Sequence, residues 1–246
     1  MAAPIIFGAV AVAILILHVI LTKFKGVPKQ MCNSSNVLIV TAHPDDECMF
    51  FSPFILTLSA FTCGIYLTCL SSGNYYNKGL VRKKELIKSC DILGLRKKNI
   101  SVIENSALPD NPSVQWNEDL IGSIVLEKIK KHDIDTVITF DDYGVSGHNN
   151  HIAISKAIRK LKSQKKLPPG TSAYSLESIP IWRKYIGVLD LPISYLSSNM
   201  VFISQWSDVW KSQKAMCAHW SQFVWFRIIY IAFSRYMIIN TLIPIV

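Results

Sequence analysis

Short apolar runs alternate with longer amphipathic segments along the middle of this chain. The apolar runs predict β-strands at residues 37–41, 65–70, 100–103 and 136–140. The segments with helical periodicity predict α-helices at residues 47–60, 80–93, 116–131 and 149–161. Strands that alternate with helices predict an α/β fold of the Rossmann-like type, in which flanking helices cover a mostly parallel sheet with right-handed crossovers.

The pattern is less regular after residue 164. Residues 165–171 are rich in proline and glycine and predict a loop. Residues 181–191 and 200–204 predict further strands, and residues 206–219 predict a helix.

The end of the chain, residues 223–246, is apolar and aromatic but contains Arg227 and Arg235. A bilayer-spanning helix would bury both arginines in hydrocarbon, which is costly. We therefore expect a helix that lies in a membrane interface or packs on the folded body. Its aromatic side chains fit an interfacial belt and fit a core cluster equally well.

The N-terminal segment is the most apolar part of the chain. Residues 3–22 contain no charged side chain, and about twenty residues at helical rise span a bilayer core. Lys23, Lys25 and Lys29 follow directly, and no Lys or Arg precedes the segment. The positive-inside rule therefore predicts a single-pass transmembrane helix with a lumenal N-terminus and a cytosolic body. A cleaved signal peptide is the competing interpretation, but lysines occupy the place where its cleavage site would lie.

These patterns divide the chain into four parts. They are a transmembrane anchor (1–22), a linker (23–36), a cytosolic body (37–222) and the apolar aromatic tail (223–246). A chain of 246 residues is long enough for one α/β domain with a sizeable core and short appendages.

The cysteines and glycosylation motifs bear on the compartment. Six cysteines show no C-x-x-C spacing and no disulfide rhythm, which weakly supports a cytosolic body. N-glycosylation sequons occur at Asn33 and Asn99. Both should stay unmodified if the body is cytosolic.

Positive charge is in excess and is clustered. The 26 Lys and Arg residues against 17 Asp and Glu give a net charge of +9, with clusters at residues 78–98 and 156–166. On a membrane-tethered body such clusters suit an anionic leaflet or a phosphate-bearing substrate, although ordinary solvated helix faces explain many of these lysines. No recognised nucleic-acid motif accompanies the charge, so we expect no nucleic-acid partner.

The motif His43-Pro44-Asp45-Asp46-Glu47 directly follows the first predicted strand. Imidazole and carboxylate ligands suit zinc, and a spare carboxylate beside a metal can act as a base. The alternative is an ordinary helix N-terminus, in which a proline takes the first position and the acids answer the helix dipole. That alternative does not explain His43.

A second polar cluster, residues 141–151, directly follows the fourth predicted strand and contains His148 and His151. Both clusters therefore come just after the carboxyl end of a strand, which is the edge where sites form in an open α/β sheet. This placement is the reason to join the two clusters into one site. A satisfied pair of surface histidines is the alternative for His148 and His151.

A catalytic zinc site needs three protein ligands and an open position. His43, Asp46 and His151 supply two imidazoles and a carboxylate. Asp45 then remains free to take a proton from the attacking water, and a protonated His148 is placed to meet the oxyanion.

These motifs resemble the PIG-L/LmbE-type zinc deacetylases. The resemblance rests on the string A-H-P-D-D-E over residues 42–47 together with G-H-x-x-H over residues 147–151. Arg82-x-x-Glu85, Leu93-Gly94 and Leu108-Pro109-Asp110 are also similar to the family. The match runs from about residue 37 to 157 and resumes over residues 214–222. The two strings together are specific, whereas either alone is much less so.

The resemblance implies a role for each matching residue. The implied metal ligands are His43, Asp46 and His151, the general base is Asp45, the oxyanion-stabilising imidazole is His148, and the substrate-binding residues are Arg82 and Asp110. Bacterial relatives often have an aromatic residue two positions before the first histidine of H-x-x-H, where this chain has Ser146. Tyr143 could supply that ring from a rearranged loop, so the role stays unassigned.

The resemblance also implies a reaction. It is the hydrolysis of the N-acetyl group of N-acetylglucosaminyl-phosphatidylinositol to glucosaminyl-phosphatidylinositol and acetate, the second step of GPI-anchor biosynthesis, at the endoplasmic reticulum membrane. The implied cofactor is Zn²⁺, although the same ligands can hold Fe(II) or another divalent ion. Two alternatives remain: a metal-dependent hydrolase acting on another amide, ester or phosphate, and a membrane-tethered pseudoenzyme scaffold. The intact set of ligands and base argues against the scaffold.

Overall fold

The computed structural model describes residues 2–24, 28–31, 33–61, 63–111 and 113–246. The predicted linker lies partly outside the described residues, because residues 25–27 and Cys32 are among those not described.

In the part of the chain that the structure describes, one mixed sheet of seven strands forms the centre of the fold, in the order β3-β2-β1-β4-β5-β7-β6. The strands are β1 (Asn36–Thr41), β2 (Gly64–Cys69), β3 (Ile100–Val102), β4 (Thr136–Phe140), β5 (Ser172–Leu176), β6 (Val201–Ile203) and β7 (Ile239–Pro244). Strands β1 to β5 pair in parallel, and β7 is antiparallel to both of its neighbours. The strand order reverses between β1 and β4, which makes their carboxyl ends a topological switch point.

Helices precede, connect and follow the strands. They are α1 (Ala2–Phe24), α2 (Asp46–Phe50), α3 (Ser52–Ser59), α4 (Gly79–Ile92), α5 (Glu118–His132), the irregular turn α6 (Gly144–Gly147), α7 (Asn149–Ser163), α8 (Ile181–Lys184), α9 (Leu191–Ser197), α10 (Trp206–Ala218) and α11 (Trp225–Phe233). Short 3-10 helices occur at Lys29–Met31, Lys97–Asn99, Gly187–Asp190, Trp220–Gln222 and Arg235–Met237.

The sheet is buried on both faces. Val37 and Ile39 of β1 belong to a core that contains Phe54 of α3, whereas Leu38 belongs to a second core that contains Ile154 of α7. Successive side chains of a strand point to opposite faces, so one strand supplies both cores. This double burial explains why the strands are continuous apolar runs in the sequence rather than alternating ones.

The predicted α/β architecture is confirmed. The four predicted strands are present as β1 to β4, and the prediction of a strand near residues 200–204 and of a helix over 206–219 is also correct. Residues 47–60 form two helices rather than one, with a break at Phe51. Pro53 stands at the start of the second helix, where its missing N–H and its ring interrupt a continuous helix.

The strand predicted over residues 181–191 is wrong. This segment forms α8 and the 3-10 helix Gly187–Asp190 instead. Gly187 has a positive φ of 56°, which no regular strand contains, and Ile181 is exposed. Most of the apolar residues here are exposed or half-buried, and only Leu191 at the end of the segment is in the core, so their run did not mark a buried strand. The position beside β5 is taken by β7, which the sequence pattern did not reveal.

The tail differs from the expected single helix. Its first half forms the α-helix α11, the 3-10 helix Arg235–Met237 follows, and residues 239–244 form a strand inside the sheet. A buried ionic cluster holds the turn between them. Arg235 is fully buried and its Nε donates to Asp190 Oδ2 at 2.8 Å, while Arg183 Nε donates to Asp190 Oδ1 at 2.6 Å. The tail therefore packs on the body, and its second arginine is satisfied by a carboxylate.

The first helix contacts the body along one side. His18 is buried, its Nε2 lies 2.9 Å from the carbonyl oxygen of Ser204, and its ring lies 4.6 Å from that of Trp206. Ile14 and Leu17 are partly buried against the core. Among the residues that the structure describes, no helix has both the length and the apolar character needed to cross a membrane. The transmembrane anchor predicted for residues 1–22 is thus not supported by the structure.

We expect the buried ionic cluster to contribute strongly to the free energy of unfolding. In the variant Asp190→Ala, Arg183 and Arg235 would face each other without a carboxylate. Removing one partner of a buried ion pair costs about 3–5 kcal/mol, so the free energy of unfolding from urea titration should fall by that amount. Asp119→Ala is the control, because Asp119 pairs with Lys160 at the surface, and it should leave the unfolding midpoint almost unchanged. Similar midpoints for the two variants would contradict the stabilising role of the cluster.

Candidate metal centre and active site

The polar motifs meet at the switch point of the sheet. The first motif follows β1 and the second follows β4, and the two strands are neighbours. The chain turns sharply after β1, and Asp45 has a φ of 127°. That backbone region is unfavourable for a residue with a Cβ, and such strain persists where the surrounding structure holds it in place.

Asp46 is the central carboxylate of the site. Its Oδ2 accepts hydrogen bonds from the backbone N–H groups of Ala42 and His43, both at 2.9 Å. Its Oδ1 lies 3.3 Å from Nε2 of His151. Burial opposes ionisation, but the neighbouring His151 and His43 hold the pKa of Asp46 below its ordinary value. The group is therefore an ionised carboxylate with a fixed orientation.

The ring of His151 is fixed as firmly. Its Nδ1 lies 3.0 Å from the carbonyl oxygen of Gly144, and its plane stacks on Phe140 with ring centroids 3.9 Å apart. A carbonyl oxygen can only accept, so Nδ1 carries a proton and Nε2 is the nitrogen that faces Asp46. Nε2 is buried and has no hydrogen-bond partner among the residues that the structure describes. In the neutral ring, the lone pair of Nε2 and a carboxylate oxygen face each other at 3.3 Å. This arrangement of two acceptors fits a bound cation.

His43 completes the set of possible ligands. Its Nε2 lies 3.2 Å from Oδ1 of Asp110 and 3.0 Å from Nδ2 of Asn150, while its Nδ1 is 3.9 Å from Oδ2 of Asp46. A proton on Nε2 that is donated to Asp110 leaves the Nδ1 lone pair for a metal, and the Asn150 amide then presents its oxygen rather than its NH2 group to Nε2. A carboxylate behind a ligating histidine is the usual arrangement in metal sites. His43, Asp46 and His151 together fit a divalent cation such as Zn²⁺.

A second ligand set is also compatible with the geometry. The nearest ligand atoms of His43, His148 and His151 all lie within 4.8 Å of one another. The two sets differ in whether Asp46 or His148 is the third ligand. Asp46 is the better ligand, because its carboxylate is ionised and is held by two backbone N–H groups. His148 is held less firmly, by a single hydrogen bond to its ring from the backbone N–H of Asn150.

His148 stands at the start of α7. Its Nδ1 accepts a hydrogen bond from the backbone N–H of Asn150 at 3.3 Å, so Nε2 carries the proton and can donate. Burial and the neighbouring His151 and His43 lower the pKa of His148 to about 4. The imidazole is therefore neutral at pH 7. The protonated His148 of the sequence analysis is corrected to a neutral N–H donor.

Asp45 lies between two arginines. Its Oδ2 accepts a hydrogen bond from Nη2 of Arg227 at 2.6 Å, and its Oδ1 lies 3.8 Å from Nη2 of Arg82. Arg227 belongs to α11, so the tail contributes a side chain to the site. In the sequence alone, Arg227 counted only as an obstacle to a membrane span. A lone arginine in an otherwise apolar helix was the signal that could have identified it.

Arg82 and Asp110 form the wall of the cleft beside His43. Nη1 of Arg82 donates to the carbonyl oxygen of Gly73 at 2.9 Å and to Oδ2 of Asp110 at 3.2 Å, and its Nη2 donates to the carbonyl oxygen of Pro44 at 3.0 Å. Gly73 has a φ of 68°, and a Cβ there would lie 2.4 Å from the guanidinium. The close approach of backbone and arginine requires glycine at this position.

Glu47 lies beneath the site and is fully buried. Its Oε1 accepts from Oγ of Ser89 at 2.5 Å and lies 2.8 Å from Nε2 of His219, and its Oε2 accepts from the backbone N–H of Asp45 at 3.1 Å. Burial alone would raise the pKa of Glu47, but His219 and Ser89 hold it below its ordinary value. Burial alone would lower the pKa of His219, and the Glu47 carboxylate raises it overall. This buried pair holds the strained peptide of Asp45 in place.

These residues surround an open cleft of about 700 Å³. That volume is within the usual range for small-molecule sites, about 300–1,000 Å³. The seven residues named by the sequence analysis, namely His43, Asp45, Asp46, Arg82, Asp110, His148 and His151, all line it. Ser146 lines it too, whereas Tyr143 is exposed and lines a neighbouring depression.

Comparisons with known proteins identify relatives of this chain. Residues 38–162 match the PIG-L family, described as GlcNAc-PI de-N-acetylase. An N-acetylglucosaminyl-phosphatidylinositol de-N-acetylase from Bos taurus is 47% identical over 209 residues, which are 85% of this chain and 83% of the relative. A probable enzyme of the same name from Dictyostelium discoideum is 38% identical over 239 residues, covering 85% of this chain and 93% of the relative.

Solved structures support the fold. The N,N'-diacetylchitobiose deacetylase from Pyrococcus horikoshii has a TM-score of 0.63 at 16% identity, over 83% of this chain and 79% of that one. A deacetylase in the biosynthesis pathway of teicoplanin has a TM-score of 0.59 at 13% identity, over 85% of this chain and 98% of that one.

Metal analysis distinguishes the two ligand sets. We expect the purified chain to hold one divalent ion and Asp46→Ala and His151→Ala to lose it, because each removes a direct ligand. His148→Ala should keep the ion. The measurement is metal content per chain by mass spectrometry after dialysis, with circular dichroism to verify folding. Loss of the ion in folded His148→Ala together with its retention in Asp46→Ala would establish the three-histidine set instead.

Proposed function

The chain belongs to the PIG-L family of GlcNAc-PI de-N-acetylases, and from this membership we propose that it hydrolyses the N-acetyl group of N-acetylglucosaminyl-phosphatidylinositol. The products are glucosaminyl-phosphatidylinositol and acetate, and the reaction is the second step of GPI-anchor biosynthesis. The observation that carries this proposal is a carboxylate outside the ligand set, Asp45, directly beside His43, Asp46 and His151 in an open cleft.

The proposed cofactor is Zn²⁺ or another divalent ion held by His43, Asp46 and His151. When bound there, it would supply a Lewis acid for the acetamide carbonyl and lower the pKa of a water molecule. Asp110 holds the ring of His43 in position for this role, and the carbonyl of Gly144 does the same for His151.

Asp45 is the proposed general base. Arg227 holds its Oδ2, which leaves Oδ1 to accept the proton of the attacking water. The water oxygen forms a bond to the carbonyl carbon, and the carbon–nitrogen bond then breaks. Asp45 returns the proton to the departing nitrogen, so the free amine and acetate leave.

His148 is the proposed donor to the oxyanion. Its neutral Nε2–H can donate to the carbonyl oxygen as negative charge develops there. A donor of this kind is typically worth about 3 kcal/mol in the transition state. A neutral donor also gives up no proton during the reaction, so it needs no reprotonation between turnovers.

The substrate head group carries a phosphodiester and several hydroxyls. We propose that Arg82 contacts the inositol phosphate or a sugar hydroxyl from the wall of the cleft. Lys78 lines the same cleft and adds positive charge at its mouth. Both cations suit the anionic head group.

We propose that the chain acts at the endoplasmic reticulum membrane with its body in the cytosol. A glycolipid substrate and the excess of basic residues support this location. Attachment through the N-terminal segment, with a lumenal N-terminus, remains part of the proposal.

The test of the reaction is acetate release from the synthetic glycolipid by the purified chain. Asp45→Asn should lower kcat by about 10²–10⁴, because the amide cannot accept the water proton, while the metal content stays unchanged. His148→Ala should lower kcat by about 10²–10³. Full activity of metal-loaded Asp45→Asn would refute the base assignment, and no acetate release by the wild type would leave the scaffold alternative.

Glycosylation tests the orientation of the body. Asn99 is buried and donates to the carbonyl oxygen of Ile65, so Asn33, which is exposed, is the more informative sequon. Gly170→Asn places a further N-x-S sequon in an exposed loop, where the φ of 86° is tolerated by asparagine. Neither site should gain a glycan in microsomes, whereas a sequon on an N-terminal extension should. A glycosidase-sensitive mobility shift at residue 170 would place the body in the lumen.

A further inference from the structure

Helix α11 carries its apolar side chains on the surface. Its exposed face, called here the outer face, consists of Trp225, Phe226, Ile228, Ile229 and Phe233. These five side chains are between 44% and 74% exposed. Trp220 and Val224, which precede the helix, are also exposed.

The polar side chains of the same helix point inward. Arg227 reaches Asp45 in the cleft, and the hydroxyl of Tyr230 donates to the carbonyl oxygen of Met49 at 2.7 Å. A surface helix in water normally shows the reverse arrangement, with its apolar stripe on the core. The inverted arrangement of α11 calls for an apolar environment outside the protein.

The outer face borders the mouth of the cleft. Val224, Phe226 and Arg227 line the cleft itself, and Trp225 and Ile228 continue the same short helix. Whatever covers the outer face therefore lies directly against the entrance through which a substrate reaches Asp45.

Lysines flank this surface. Nζ of Lys78 donates to the carbonyl oxygen of Ser221 at 3.3 Å, and Nζ of Lys184 lies 5.8 Å from the ring centre of Tyr230. Trp182, beside Lys184, is exposed as well. Tryptophan and aliphatic side chains beside lysines match the boundary between lipid headgroups and acyl chains. The positive charge complements an anionic leaflet.

We propose that the outer face of α11 docks on a lipid bilayer, with its apolar side chains in the headgroup–acyl boundary and the cleft mouth against the leaflet. This inference rests on the proposed function, because a glycolipid keeps its acyl chains in the bilayer while its sugar enters the site. Docking through α11 presents the cleft to the head group without extracting the lipid. The inward arginine places the docking helix and the general base in one rigid unit.

The test compares one variant on two substrates. In Ile228→Ser/Phe233→Ser, both changed residues belong to the outer face and neither lines the cleft. The full chain is reconstituted in phosphatidylcholine/phosphatidylinositol liposomes that contain the N-acetylglucosaminyl lipid. The second substrate is the water-soluble head group without acyl chains. We expect acetate release from liposomes to fall by about tenfold or more, and turnover of the soluble substrate to stay within about twofold.

Phe61→Ser is the matched control. Phe61 is 52% exposed and lies between α3 and β2, at the edge of the sheet opposite the cleft. This variant loses a comparable exposed side chain and should change neither rate. An equal loss on both substrates in the α11 variant would mean that the helix only shapes the cleft, and no loss on either would mean that it does not dock. Both results would overturn the proposal.

A second measurement does not depend on turnover. A photoactivatable phosphatidylcholine in the same liposomes should label the peptide that contains residues 225–233, and labelling should fall in the α11 variant but not in Phe61→Ser. Absence of lipid adducts on this peptide in the wild type, with labelling elsewhere in the chain, would overturn the proposal. Lipid adducts at α11 without acetate release from either substrate would refute the proposed function and support docking.

Discussion

The site depends on two acceptors that face each other at the switch point of the sheet. Oδ1 of Asp46 and Nε2 of His151 are 3.3 Å apart, and neither can turn away. Two backbone N–H groups hold the carboxylate, and a carbonyl oxygen and a stacked phenyl ring hold the imidazole. A proton on Nε2 or a cation between the two atoms stabilises this contact, so the fold maintains an arrangement that suits a divalent ion. The loops after β1 and β4 can supply it because the two strands are neighbours.

The remaining site residues support that contact from several directions. Glu47 is buried beneath it, and its pairing with His219 keeps the strained backbone of Asp45 in place. Asp110 orients His43, and Arg82 connects Asp110 to the loop that contains Pro44. A substitution at any of these supporting residues therefore disturbs the position of more than one site residue. The three carboxylates have different functions because each has different partners. Asp46 contacts His151, another of the proposed metal ligands, and Asp45 lies between two arginines. Glu47 pairs with a buried histidine.

The C-terminal tail contributes both to the stability of the fold and to the active site. Its strand β7 completes the sheet, Arg235 is neutralised by the buried Asp190, and Arg227 reaches the general base. The apolar outer surface of α11 then lies beside the cleft mouth. One short segment thus contributes to the core, to the active site and to the surface that we assign to the bilayer. A helix with a single function would not need both inward polar groups and an outward apolar face.

The sequence by itself determined the features that depend on neighbouring residues. The strands β1 to β4, their connecting helices and both polar motifs were readable, because each arises from local periodicity or from a short string that follows a strand. From the order of strands and helices it was also possible to place His43 and His151 at one edge. Tertiary structure alone decided the rest. Arg227 and Asp45 are 182 positions apart, and the neutral state of His148 results from burial among two other imidazoles. Residues 181–191 are helical and the end of the tail is a strand because the tail, and not residues 181–191, pairs with β5. Such outcomes depend on which of several distant segments packs best at one position in the fold. The local sequence pattern of a single segment does not contain that information.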